Sequence, residues 1–420
     1  MLISIARKYT NLLKKTRTRK LLKTQLSLFC KDIFINTAAF GLVILGQQII
    51  VLPILAKHLD ESTFANCIIF VTILNIFSLI LGYDVGNTKL VLNYQYKILD
   101  IKGDFKRILL MSMPVCIMAS FVASLFLAKD FKSKIILICT ILLANVKNYI
   151  IAEYRQKKDF KKIYFQNLIY FIFICIGIPL FFITKLYLIP FLSAETASLV
   201  YSLRKSNFIN ETLKKTSEFN NSFLTYIKIS STSLISNLSS YLDRFLIYPI
   251  LGPMAVNIYF SASVMSKIGA LIVNPVSAVI LAWLSNEGNS KRNKIVFYSF
   301  MFAIPVTLIF WVANIILSVF ALRLLYSQYF NKALSIVIYV SLSSAFAYSG
   351  LLIKTIILRY GKITNLLLSY ITYLVIFAAL GILLSIKYKL LGFAIASCVA
   401  GFIQWVLLLF MLKHSSLTKA

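Results

Sequence analysis

The sequence predicts an all-α polytopic membrane protein. About twelve transmembrane helices would form two pseudo-symmetric six-helix lobes around a central cavity. Three observations carry this. The 420 residues are 59% hydrophobic and only 14% charged, with a mean hydropathy of +0.83; soluble chains have nearer a quarter charged residues. Apolar runs recur at the roughly 20-residue length needed to cross about 30 Å of hydrocarbon. Lys and Arg are sorted between alternate loops: 31 of 44 fall on one side, nine on the other (with Lys134, the first residue of its span, counted there) and four deeper within spans. Translocating cations is unfavourable, so the richer side is read as cytoplasmic and an even number of spans places both termini there.

Residues 1–32 are basic. Leu12, Leu13, Leu21 and Leu22 alternate with Lys14, Lys15, Lys20 and Lys23, which suits a helix lying on the inner leaflet. No cleavable signal peptide is expected, because no apolar core stands near the start. Spans 33–56, 64–85, 108–128, 134–151, 165–184 and 186–203 make an N-terminal lobe, 33–203. The polar stretch 204–222 reads as a cytoplasmic linker and hinge. Spans 223–248, 254–284, 295–317, 333–353, 365–386 and 390–412 make the second lobe, 223–412, and 413–420 is a cytoplasmic tail. Spans seven and eight exceed one crossing, and Pro249 and Pro275 predict tilt or kinking there. The turns at Leu59 and Leu251, and the basic entries at Arg155 and Arg359, match in order. They suggest a parallel repeat, an arrangement common in transporters with a site between the halves.

The net charge of +30 could suggest nucleic acid, but it sits in short loops between spans. A basic cytoplasmic face instead attracts anionic lipids and polyanionic substrates. The six cysteines form no CxxC pattern and the two histidines are far apart, so neither disulfides nor a metal are expected. No Walker A sequence or Gly-rich phosphate loop occurs. No cofactor is expected, and movement would draw on a proton or sodium gradient or on a partner. The absence of a large outside loop disfavours enzymes that build glycans on external loops.

Ionisable residues inside spans are costly and normally face a cavity or a partner. Lys267 lies near the middle of span eight and Glu195 near the middle of span six. Asp243 and Arg244 are adjacent, so on a helix they point about 100° apart and do not simply neutralise each other. Arg244 is a candidate anion clamp, because guanidinium grips phosphate bidentately. Lys147 and Lys228 lie near inner span ends, where snorkelling competes with a cavity role. Asp84 is expected to end span two. Lys228, Thr232, Ser236, Ser240 and Arg244 recur every four residues along span seven, flanked by Asn237. Such a stripe lines a hydrated cavity or a helix contact. Asn36 and Gln47 of span one could face it from the other lobe. The candidates are thus Arg244, Lys267, Lys228 and Lys147 for an anionic substrate. Ser236, Asn237, Ser240, Gln47 and Asn36 would line the cavity, and Glu195, Asp243 or Asp84 would bind a coupling ion.

The stretch Tyr241-Leu-Asp-Arg-Phe-Leu-Ile-Tyr-Pro-Ile-Leu-Gly-Pro-Met-Ala-Val-Asn-Ile-Tyr-Phe-Ser-Ala resembles the polysaccharide-transporter family of O-antigen and capsule (Wzx-type) flippases. That family belongs to the multidrug, oligosaccharidyl-lipid and polysaccharide exporter superfamily. Its pattern here is Asp-Arg, Leu-Gly-Pro, Gly-x-Tyr, then Ser-Ala; Asn257 replaces the expected Gly. Lys389-Leu-Leu-Gly-Phe-Ala-Ile-Ala-Ser is similar to the family's entry into its last helix. The resemblance implies a non-enzymatic flippase of the bacterial inner membrane. Its cargo would be undecaprenyl-pyrophosphate-linked oligosaccharide, moved by alternating access. Membrane lipids, a polysaccharide polymerase and a chain-length regulator are the implied partners, and nucleic acid is not. The alternatives are a multidrug or cation extruder of the same superfamily and an integral-membrane polysaccharide polymerase.

Overall fold

The computed structural model describes residue 31 and residues 34–128, 130–286, 292–360 and 363–417. Apart from Lys31, the basic segment expected over 1–32 lies outside them. All regular structure among the described residues is helical. The first six helices are α1 (Phe34–His58), α2 (Glu61–Ile98), α3 (Phe105–Leu127), α4 (Phe131–Gln156), α5 (Phe160–Thr184) and α6 (Ile189–Lys205). Then follow α7 (Phe219–Leu251), α8 (Pro253–Asn286), α9 (Arg292–Leu325) and α10 (Phe330–Tyr360). The last stretch, Ile363–Leu417, breaks at Lys389 (φ 52°, ψ −136°). It folds back there, so that Gln404 bonds the carbonyl of Ser369, giving α11 (363–388) and α12 (390–417).

Eight of these helical stretches are long and apolar enough to cross a membrane. Two of the others show why the rest are not: α6 is short, and α7 carries the Ser/Thr/Asn stripe. Helix starts follow local chemistry. Asp60 and Asp130 cap α2 and α4 by accepting from the backbone N–H of Thr63 and Ser133, supplying partners to otherwise orphaned donors. Span two was expected to stop near residue 85, but its helix continues to Ile98. Asp84 is therefore interior. It follows a wide, π-helical turn at Ser78–Tyr83, and a similar turn at Leu45–Val51 holds Gln47 in α1.

The cores show how the lobes sit. One large core joins both lobes at the end away from the basic loops. There Phe64 of α2 meets Phe260 of α8, and Asn257 donates to the carbonyl of Glu61 at 2.9 Å. Tyr248 donates to Asn66 at 2.9 Å and Gln328 to the carbonyl of Ala56 at 3.0 Å. At the basic end the core divides. Ile353, Ile357, Trp405 and Leu408 form a C-lobe cluster, while Val85, Tyr96, Leu109 and Tyr149 belong to an N-lobe cluster. The buried cores are thus continuous at one end and distinct toward the basic end. Two residues of α7, Phe219 and Tyr226, belong to the N-lobe cluster.

The stretch between α6 and α7 is bonded to the N-lobe. Asp104 accepts from the backbone N–H of Thr216 at 2.8 Å and from the hydroxyls of Thr216 and Tyr96. Glu211 accepts from Lys89 at 2.7 Å and from Tyr149 at 2.6 Å. Lys106 donates to the carbonyls of Phe208, Ile209 and Glu211. Gly103 has a φ of +145°, and a Cβ there would lie 2.4 Å from the Lys214 carbonyl. Glycine therefore permits the close approach.

Candidate functional site

The N-lobe buries an ion pair. Lys147 of α4 lies 2.7 Å from Glu195 of α6, with side chains only 7% and 4% exposed. The Lys147 ammonium also sits 4.6 Å from the centre of the Tyr170 ring. Gln47 of α1 donates to the Tyr170 hydroxyl at 2.7 Å. Four helices thus converge on one charged cluster. Lys147 has the reach to snorkel, but its ammonium is held by Glu195. Pairing compensates much of the cost of burying each charge. Asn36, also on α1, is half-buried, and its carbonyl oxygen has no hydrogen-bond partner among the described residues.

The polar stripe of α7 rises from the basic end. Lys228, Thr232 and Ser240 are exposed, and Ser236 and Asn237 are half-buried. Several of its polar groups bond back one turn: Thr232 to the Lys228 carbonyl, Asn237 to that of Ser233 and Ser240 to that of Ser236. The stripe ends at Arg244, which is 2% exposed. Arg244 donates to Thr72 of α2, across the lobe seam. Its guanidinium packs over the rings of Tyr241 and Phe260, at 5.2 and 5.1 Å. Its Nε and Nη2 have no hydrogen-bond partner among the described residues. A buried guanidinium with two unpartnered nitrogens can donate to an incoming oxyanion.

Asp243 points the other way, as helical geometry requires. It lines a cavity of about 280 Å³ inside the C-lobe. Ser239 and Ser240 line it from α7, Tyr259 from α8 and Ser344 from α10. Two further residues, Lys354 and Gln404, complete a polar interior. The sequence reading placed Lys354 in a loop beyond span ten. The helix runs to Tyr360, and Lys354 is 9% exposed with its ammonium 4.0 Å from the centre of the Tyr370 ring. A count of turns past residue 353 would have found it. Asp84 belongs to neither cluster; it accepts from Asn87 at 3.1 Å. Lys267 lies on α8, and its side chain lies outside the described residues.

Asn257, the departure from the family pattern, is fully buried and makes the inter-lobe bond to Glu61. A glycine has no side chain to do so.

No protein-family model matches the chain, and no curated protein sequence matches it. Solved structures share its fold. The lipid II flippase MurJ, in an inward closed conformation, matches with a TM-score of 0.63 over 93% of this chain and 89% of that one, at 16% identity. An inward-facing multidrug resistance MATE family transporter of the MOP superfamily gives 0.67 over 91% and 96%, at 13% identity. The eukaryotic MATE transporter AtDTX14 gives 0.60 over 92% and 98%, at 15% identity. The chain therefore has the twelve-helix, two-lobe fold of these transporters, in a multi-pass membrane protein.

Proposed function

We infer that the chain is a flippase for a lipid-linked anionic glycan, of the undecaprenyl-pyrophosphate class, in a bacterial inner membrane. The basic end would face the cytoplasm, as the loop charges require. The observation that carries the reading is Arg244: a buried guanidinium with unpartnered nitrogens, at the lobe seam and at the head of a polar stripe. A diphosphate crossing a low-dielectric path needs fixed positive charge of this kind. A core that divides toward the basic end suits a cytoplasm-facing state of an alternating-access cycle. Glu195 and Asp243 are the groups that would answer to a proton or sodium gradient, with Asp84 a third.

A second reading, export of an organic cation, is favoured by the C-lobe cavity. Asp243 and the rings of Tyr259, Tyr348, Tyr370 and Tyr373 line it, and aromatic faces attract cations. One experiment separates the two. In the native host, a deletion strain is complemented with wild type or with Arg244→Ala, and lipid-linked repeat units are quantified in each leaflet. The flippase reading expects units trapped on the cytoplasmic leaflet in the deletion strain, with rescue by wild type and not by Arg244→Ala. Unchanged surface glycan with altered drug tolerance would replace it with the extruder reading. Single units accumulating on the outer leaflet would point to a polymerase.

A further inference from the structure

A cavity of about 880 Å³ lies on the outer surface of the N-lobe, between α5 and α6. This is within the range of small-molecule sites. Its floor is built from small residues of α6, Ser193, Thr196 and Ala197, between larger walls such as Phe173, Ile176 and Leu180. The floor hydroxyls are already satisfied. Ser193 donates to the carbonyls of Phe173 and Pro190, and Thr196 to that of Leu192. The groove therefore presents hydrocarbon along its length. It is held in shape by a close helix contact: a Cβ on Gly177 would lie 2.3 Å from the Pro190 Cα.

The groove is asymmetric in charge. Its end at the last turn of α6 is lined by Arg204 and Lys205, which are exposed and make none of the ion pairs among the described residues. Between Ile189 and Arg204 the helix rises about 22 Å, at 1.5 Å per residue. One leaflet of hydrocarbon is about 15 Å deep, half of the bilayer core, so an ordered acyl chain fits within it. A second groove, between α9 and α10, is lined by Tyr298, Phe302 and Ile353, with no charged residue among the described residues of its lining.

We propose that the α5/α6 groove binds an anionic diacyl phospholipid of the leaflet at the basic end, with a chain along the small-residue floor and its phosphate against Arg204 and Lys205. Charge complementarity fixes the head. Guanidinium and ammonium groups flanking an apolar cleft between membrane helices match a phosphate on an acyl anchor. Position argues that this is a resident lipid and not the tail of a cargo. A cargo tail must follow its head group along the parting lobes, whereas no described residue of α7 or α8 lines the groove. Both helices pack on elements of their own lobe, α5 on α1 and α6 on α4.

The test is native mass spectrometry of the purified full chain, titrated with phosphatidylglycerol or phosphatidylcholine of identical acyl chains. Wild type should carry about tenfold more phosphatidylglycerol adduct, because phosphatidylcholine offers the same phosphate but adds a quaternary ammonium that is repelled by Arg204 and Lys205. Arg204→Ala/Lys205→Ala should abolish that preference, and Arg204→Lys/Lys205→Arg should keep it. Ala197→Phe, which fills the floor, should reduce adducts of both lipids with the charges intact. Equal adducts on wild type, or an unchanged profile in Ala197→Phe, would overturn the proposal. So would a polyprenyl phosphate that displaces phosphatidylglycerol in a Arg204-dependent manner. The assay reads lipid retention alone, so its outcome is separable from that of the transport reading.

Discussion

Replacing Glu195 by Gln removes one half of a charge pair that is almost fully shielded from solvent. The Lys147 ammonium would keep the Tyr170 ring at 4.6 Å but lose its carboxylate at 2.7 Å. Removing one partner of a buried pair typically costs about 3–5 kcal/mol, because an uncompensated charge remains. Lys147→Met strands the opposite charge and is expected to destabilise on the same scale. The double variant Lys147→Met/Glu195→Leu strands neither a charge nor a polar group. It should lie within about 1 kcal/mol of wild type, since replacing a buried ion pair by hydrophobic groups of similar volume is often neutral. The assay is thermal unfolding of the four purified proteins in one detergent, alongside complementation of glycan export. A double variant as unstable as the singles, or singles as stable as wild type, would refute the closed-pair reasoning. Export then decides the role. A stable double variant that exports makes the pair structural and removes Glu195 as a coupling group. A stable double variant that does not export assigns the pair to the transport cycle.

Three other outcomes follow from named contacts. Arg244→Lys keeps the charge but loses the planar donors that reach Thr72 and lie over Tyr241 and Phe260, so export should fall nearly as far as with Arg244→Ala; full export by the Lys variant would show that charge alone suffices. Asn257→Gly removes the bond to the Glu61 carbonyl, worth about 1 kcal/mol; cysteines placed at that same end of the lobe seam should become about fivefold more accessible to a membrane-impermeant thiol reagent, and unchanged accessibility would show that the bond does not bias closure. The carboxyl of Asp60 is held down at about 2 by the hydroxyls of Ser62 and Thr63 and the Thr63 N–H. A depressed acid contributes stability above its unfolded value near 3.9 and loses it as pH falls toward 2. Asp60→Ala should cost about 1 kcal/mol at neutral pH and clearly less at pH 2, where about half of the carboxyls are protonated, read from unfolding midpoints; an equal cost at both would refute the cap.

Much of the fold was legible because a membrane imposes few rules. The length of apolar runs marks crossings, and Lys and Arg mark one face. What those rules could not supply was the end of each helix beyond the hydrocarbon. Asn87, Thr88 and Lys89 look like loop, yet α2 carries them on to Ile98, which turns Asp84 from a helix terminus into an interior residue. The same effect hid Lys354. Pairings were not legible either. Lys147 and Glu195 are 48 residues apart in sequence, and Arg244 and Thr72 are 172 apart. Only the divergence of Asp243 from Arg244 was readable, since 100° per residue sends neighbours to different faces whatever the tertiary structure.

The stretch 204–222 looked like a hinge because it is polar, short and central. Polarity describes its solvent exposure and says nothing of its freedom. Using it as the pivot would break the bonds of Asp104, Glu211 and Lys106 and detach Phe219 and Tyr226 from the N-lobe core. Bending α7 breaks none of these. Its first turns pack in the N-lobe, while Asp243 lines the C-lobe cavity, so relative movement of the lobes must be absorbed between those points. That interval holds Thr232, Asn237, Ser239 and Ser240, all bonded to carbonyls one turn back. Side-chain bonds of this type compete with the backbone ladder and favour bending. The residues read as a cavity lining are therefore also where the helix yields at least cost. The path to Arg244 and the pivot of the lobes would then be the same segment of chain.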